Sequence, residues 1–161
     1  MNESGGISGA ILDTNSIEAM EHAEKYYGFI RSYKYDVERI AENTDFSIEQ
    51  INMVKNYIFY DMHQLDDGYR RFDADFCMAQ SWQRLAFEPE NIQKHDIVLI
   101  QHELREMIYV ADGMPYRDAH IKSCEDGYDY PILCKEYYRN LKRDKENKRS
   151  YKNIEDDDLE R

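Results

Sequence analysis

Between Asp61 and Glu106 the chain places His63, Arg71, Asp75, Trp82, Arg84, His95, His102, Glu103 and Glu106 within 46 residues, including three of its five histidines and its single tryptophan. Histidine titrates near neutral pH, so it can carry protons or bind a metal. Arginine offers a planar fork that grips phosphate or carboxylate. The segment His63-Gln64-Leu65-Asp66-Asp67-Gly68, with Arg70, Arg71, Asp73 and Asp75 behind it, combines both groups with carboxylates. Such a set can work on a phosphodiester. A histidine moves the proton, and an arginine stabilises charge developing on phosphoryl oxygens. The same residues also describe an acid-rich loop tied together by arginine–carboxylate bridges.

His95, Leu99, His102 and Glu106 are spaced by 4, 3 and 4 residues, which puts them on one stripe of a helix. His102 and Glu106 are one turn apart and close enough to share a metal or a proton. The segment His102-Glu103-Leu104-Arg105-Glu106 resembles the zincin HExxH motif but lacks its second histidine, which argues against a zincin protease. His120 lies on the next expected helix and can fold back to complete a His102/Glu106/His120 set. The spacing names no particular metal or other cofactor. His95-Asp96 invites comparison with phosphohydrolases that use such a pair. Asp96 equally suits the first turn of a helix, where the dipole favours an anion.

These residues need helices to position them. Hydrophobic periodicity predicts an all-α, single-domain bundle of about six to seven helices, with a polar loop over residues 61–74. Asn15 and Glu18 read as a capping box that opens the first helix. A second helix is expected over 35–43. Ser47 and Gln50 form another capping box for a third. A fourth is expected over 74–85, a fifth over 92–111, a sixth over 115–124 and a seventh over 132–147. Gly68, Gly113 and Gly127 punctuate the pattern. Residues 1–14 read as a flexible leader, 15–147 as the helical domain and 148–161 as a charged, frayed tail. No alternating strand pattern is evident. Trp82, Met78 and Leu85 share one apolar helix face.

The 161 residues carry a net charge of -12, spread unevenly. Residues 1–134 hold 12 basic and 25 acidic side chains, whereas residues 135–152 hold eight basic and three acidic. The body repels a polyanion at long range and attracts a basic partner protein. Residues 37–58 resemble a helix-turn-helix, but Glu49 and Lys55 cancel on the would-be recognition helix, which disfavours a DNA-binding regulator. No run approaches the roughly 20 apolar residues of a membrane helix, and the N-terminus lacks the basic start of a secretory signal. A cytoplasmic location, or delivery by a signal-less route, is expected. Cys77, Cys124 and Cys134 contain no CxxC pair, which fits free thiols in a reducing compartment.

The segments His22-Ala23-Glu24-Lys25-Tyr26-Tyr27, Arg71-Phe72-Asp73-Ala74-Asp75, Met78-Ala79-Gln80-Ser81-Trp82-Gln83-Arg84-Leu85, His95-Asp96, His102-Glu103 and Ala119-His120 follow one another in this order. Together they resemble the C-terminal helical domain of phage minor head (head-morphogenesis) proteins and of toxin-like proteins of Gram-positive bacteria. Gly5-Gly6-Ile7-Ser8-Gly9-Ala10 resembles the junction leading into that domain. The resemblance spans about residues 5–140. It implies a polymorphic-toxin-like effector, a class often composed of nucleases, with an immunity protein as partner and nucleic acid as substrate. The positions matching its polar pattern are His63, Arg71, Asp75, Arg84, His102 and Glu103. The chain departs from the pattern at Cys124-Glu125-Asp126-Gly127-Tyr128-Asp129-Tyr130, where acidic residues replace a lysine/asparagine-tyrosine motif. A non-enzymatic module of phage origin that binds a basic protein is the alternative.

Overall fold

The computed structural model describes residues 11–159 and shows an all-α fold of seven helices with one two-stranded hairpin. In chain order the helices are α1 (Ile17–Ser32), α2 (Asp36–Asn43), α3 (Ile48–Lys55), α4 (Phe76–Phe87), α5 (Lys94–Ala111), α6 (Tyr116–Glu125) and α7 (Tyr130–Leu159). A π-helical turn, Asn56–Tyr60, continues α3, and a 3-10 turn, Pro89–Asn91, precedes α5. The expected junction at residues 5–10 lies outside the described residues.

Local chemistry explains most of the boundaries. Ser16, rather than Asn15, caps α1: its Oγ accepts from the Ala19 amide at 3.1 Å, while Asn15 turns to Asp13. The Ser47–Gln50 capping box opens α3 as the spacing predicts. Asp75 caps α4 through the Met78 amide at 2.8 Å, so that helix begins at Phe76, two residues later than the pattern suggests. Pro115 precedes the first residue of α6 rather than filling it.

Two further segments depart from the expected pattern. The stretch read as an irregular polar loop contains an antiparallel hairpin, β1 (His63–Leu65) with β2 (Gly68–Arg70). Each strand has only three residues, too few for an alternating pattern to register. The tail read as frayed is helical, because α7 continues to Leu159. From Lys142 onward all its described residues are exposed. Their lysine, arginine, glutamate and aspartate side chains suit a solvated helix.

Trp82 lies at the centre with no exposed surface, edge-on to Phe59 at 5.1 Å. Its indole N–H donates to Asp36 at 3.0 Å. Asp36 is fully buried, and Lys55 Nζ meets it at 2.7 Å while also donating to the Tyr33 carbonyl. This network ties α2, α3 and α4 together. Ile40, Ile51 and Val54, the residues that resemble a helix-turn-helix core, are buried in the same layer. The α2–α3 pair therefore packs onto α4 and α5. No helix among the described residues is long and apolar enough to cross a membrane.

Candidate functional site

Helix α5 carries the centre of the site. His102, Glu103 and Glu106 are each at most 2 % exposed, an unusual density of ionisable groups on one buried stripe. Two glycine turns bring the remaining parts to them. α5 ends at Gly113, whose φ of +99° lets its amide reach the Val110 carbonyl while Met114 reaches Tyr109. α6 ends in the same way at Gly127, with φ +106°. Its amide bonds Cys124, and that of Tyr128 bonds Ser123. Both are Schellman stops, where a residue without Cβ tolerates the left-handed conformation. The first folds α6 back along α5, placing His120 opposite His102. The second delivers the Tyr128 carbonyl to the far side of the His102 ring.

The resulting geometry is tight. Glu106 Oε2 is 2.9 Å from His102 Nε2 and 3.1 Å from His120 Nδ1, and the two ring nitrogens are 3.1 Å apart. His102 Nδ1–H donates to the Tyr128 carbonyl at 2.8 Å, which fixes the ring and its tautomer. The Tyr57 hydroxyl donates to the other Glu106 oxygen at 2.7 Å. Tyr57 sits in the π-helical turn, the kind of local distortion that re-aims a side chain at a functional position. His102, Glu103 and Glu106 each contribute a donor atom lying within 4.8 Å of the other two. His102, Glu106 and His120 thus offer two nitrogens and one oxygen that could hold a metal.

The electrostatics separate the two glutamates. Burial opposes the charge on Glu106, but its contacts with His102, His120 and Tyr57 outweigh it and hold the carboxyl below its ordinary range. Glu103 has no such compensation. Burial, followed by the charges of Glu106 and Asp75, pushes it well above the usual carboxylate value. The hydrogen bond to Glu106 raises His120 despite partial burial. Neighbouring carboxylates driven in opposite directions form the pattern of an acid and a base side by side.

The centre opens to solvent. A cavity of about 500 Å³ is lined by His102, His120, Asp75, Tyr116, Cys134 and Lys135, among others. A smaller hollow reaches Glu103 and Glu106 and shares Asp75, Met78 and Tyr116 with the first. Asp75 thus stands where both meet, and burial raises its carboxyl against the pull of the Met78 and Cys77 amides.

Of the six residues matching the polar pattern, the structure gathers Asp75, His102 and Glu103 and leaves His63, Arg71 and Arg84 elsewhere. His63 is buried in β1. Its ring stacks on Phe72 at 3.8 Å and its Nε2–H donates to the Tyr57 carbonyl at 2.7 Å, so it braces the turn that holds Tyr57. Arg71 is exposed, with Nε donating to the Tyr60 carbonyl at 3.2 Å. Arg84 is buried and grips both Asp96 oxygens at 2.8 Å beneath the Tyr137 ring. Its fork is fully engaged with a carboxylate, so it is not aimed at a phosphate in the cavity. Asp96 also accepts the Gln93 amide, which makes the His95-Asp96 pair part of a helix cap and a buried ion pair. Arg70 bridges Asp67 and Asp73, as the acid-rich-loop reading expects.

The pattern missed Tyr57 and Tyr116, and it left Glu106 and His120 outside the six residues. The helical spacing from His102 to Glu106 was the available signal. Nothing local marks Tyr57 or Tyr116 among 14 tyrosines. Compared with protein-family models, curated proteins and solved structures, the chain matches none.

Proposed function

We propose that this domain is a hydrolase whose reactive centre is His102, Glu103, Glu106 and His120, acting on phosphodiesters as a toxin-like effector. The observation that carries this reading is the convergence of Glu106, His102 and His120 on one point, within 3.1 Å of each other, at the wall of an open cavity. Buried ionisable groups are costly unless paired, and this buried set borders an open cavity through His102 and the one-third exposed His120. The phosphodiester substrate follows from the resemblance to nuclease-bearing toxins.

In this reading the roles differ from those expected from the sequence. Arg71 and Arg84 do not supply phosphate contacts. Lys135 lines the cavity, so this cation, with His120, meets an anionic substrate. Hydrolysis adds water across the ester bond: the water oxygen bonds phosphorus, its proton passes to a centre base, and the leaving oxygen receives a proton. Expression in cells should arrest growth, and purified protein should cleave RNA or DNA. His102→Ala and Glu106→Gln should lose both effects while keeping their helical circular dichroism. Full toxicity and cleavage in both folded variants would overturn the assignment.

A further inference from the structure

We infer that His102 Nε2, His120 Nδ1 and Glu106 Oε2 are the protein ligands of one divalent metal ion of the zinc class. The inference deepens the proposed centre, on which its functional meaning rests, but the binding itself stands on separate geometry. The Nδ1 hydrogen of His102 is committed to the Tyr128 carbonyl. In a neutral ring, Nε2 therefore presents a lone pair to Glu106 Oε2, itself a lone-pair acceptor, at 2.9 Å. His120 Nδ1 stands 3.1 Å from both atoms. These three donor atoms converge on one point that calls for positive charge: the His120 proton supplies it in the metal-free protein, and a bound ion would supply it to all three.

The dimensions suit such an ion. Zinc bonds of about 2.0–2.1 Å at tetrahedral angles separate neighbouring ligands by about 3.3 Å. Each donor here would have to move by only a few tenths of an ångström. Two imidazoles and one carboxylate form a mixed set that favours zinc and its transition-metal neighbours over magnesium or calcium, which prefer all-oxygen shells.

The surroundings match those of a metal centre. Ligating histidines commonly donate their second nitrogen to a carbonyl, and ligating carboxylates are themselves hydrogen-bonded. Tyr128 and Tyr57 provide these two supports. His120 is one-third exposed and lines the cavity with His102, which leaves an open side for water or substrate. Catalytic zinc keeps such a position free. Glu103 follows the first ligand in sequence and has an oxygen within 4.8 Å of the His102 and Glu106 donors, in reach of a water on the ion. Cys124 does not complete the set, because its sulfur approaches His102 from the Nδ1 side, at 4.0 Å.

Tag-free protein, stripped with chelator and then titrated with zinc chloride by calorimetry, tests the inference. One ion per chain is expected. Affinity should fall at least 100-fold in His120→Ala and Glu106→Gln, and about tenfold in Tyr57→Phe. Cys124→Ser should bind as the parent does. Cobalt substitution should give the visible absorption of a four-coordinate ion. Substoichiometric binding by the folded parent, or unchanged affinity in folded His120→Ala, would overturn the site. Loss of binding in Cys124→Ser would overturn this donor set. Stoichiometric zinc without hydrolysis supports the metal site and removes the hydrolase reading. His102-dependent hydrolysis by a protein that binds no zinc does the reverse.

Discussion

Glu106→Gln in the metal-free protein is the sharpest test of how the centre is held together. The amide is nearly isosteric. Its oxygen can accept from Tyr57, and its NH2 can donate to the lone pair of His102 Nε2. The substitution therefore removes the charge without opening a cavity. What is lost is the attraction between the carboxylate and protonated His120 at 3.1 Å. Coulomb's law gives about 5 kcal/mol at that separation with an effective dielectric of about 20. Desolvation of Glu106 and the solvent reaching one-third of the His120 side chain reduce this. A charge-assisted hydrogen bond of about 2 kcal/mol remains.

The pH window follows from the two shifts. Glu106 is lowered from 4.5, so its contribution is present above that value and is lost as pH falls through the folded value. His120 is raised from 6.5, so its contribution is complete below that value and is lost as pH rises through the folded value. The pair is thus strongest between about pH 4.5 and 6.5. Urea unfolding of parent and variant, measured in chelator from pH 4 to 9, should give a difference that peaks in this interval at about 2 kcal/mol. In the variant, the His120 resonance should titrate below the parent value. A difference that is flat with pH would refute the reasoning.

Other substitutions probe separate parts of the architecture. Glu103→Gln should stabilise the metal-free protein above pH 4.5, because a carboxyl raised in the fold contributes stability only while protonated. The expected gain at neutral pH is on the order of 1 kcal/mol, or about 2–4 °C in thermal midpoint. Arg84→Ala should cost about 3–5 kcal/mol in urea unfolding, because Asp96 is left buried and unpaired. Deleting residues 152–161 should move the thermal midpoint by less than about 2 °C, since its described part, 152–159, is exposed throughout.

Much of the helical plan was legible because caps and breakers act locally. Ser47 with Gln50, Gly113 and Gly127 each mark a boundary through hydrogen bonds spanning a few residues. The hairpin was not legible, since three-residue strands carry too little pattern and owe their pairing to the turn between them. Nor was the persistence of α7 to Leu159, where charged residues with good helix propensity read equally well as a loose tail.

The site divides along the same line. Residue spacing alone put His102 and Glu106 on a shared helix face, because 3.6 residues per turn is a property of the backbone. It also placed Glu103 beside them and His120 on the following helix. Packing between the helices selected which polar groups meet. It turned α6 back through Gly113 to bring His120 against Glu106, and set Tyr128 and Tyr57 as supports. It also sent Arg84 into a buried pair with Asp96 and His63 into a stack on Phe72. An arginine or histidine looks the same in sequence whether it faces a cavity or a buried carboxylate. The choice depends on which elements pack together, and desolvation leaves a buried charge only as good as the partner that packing provides.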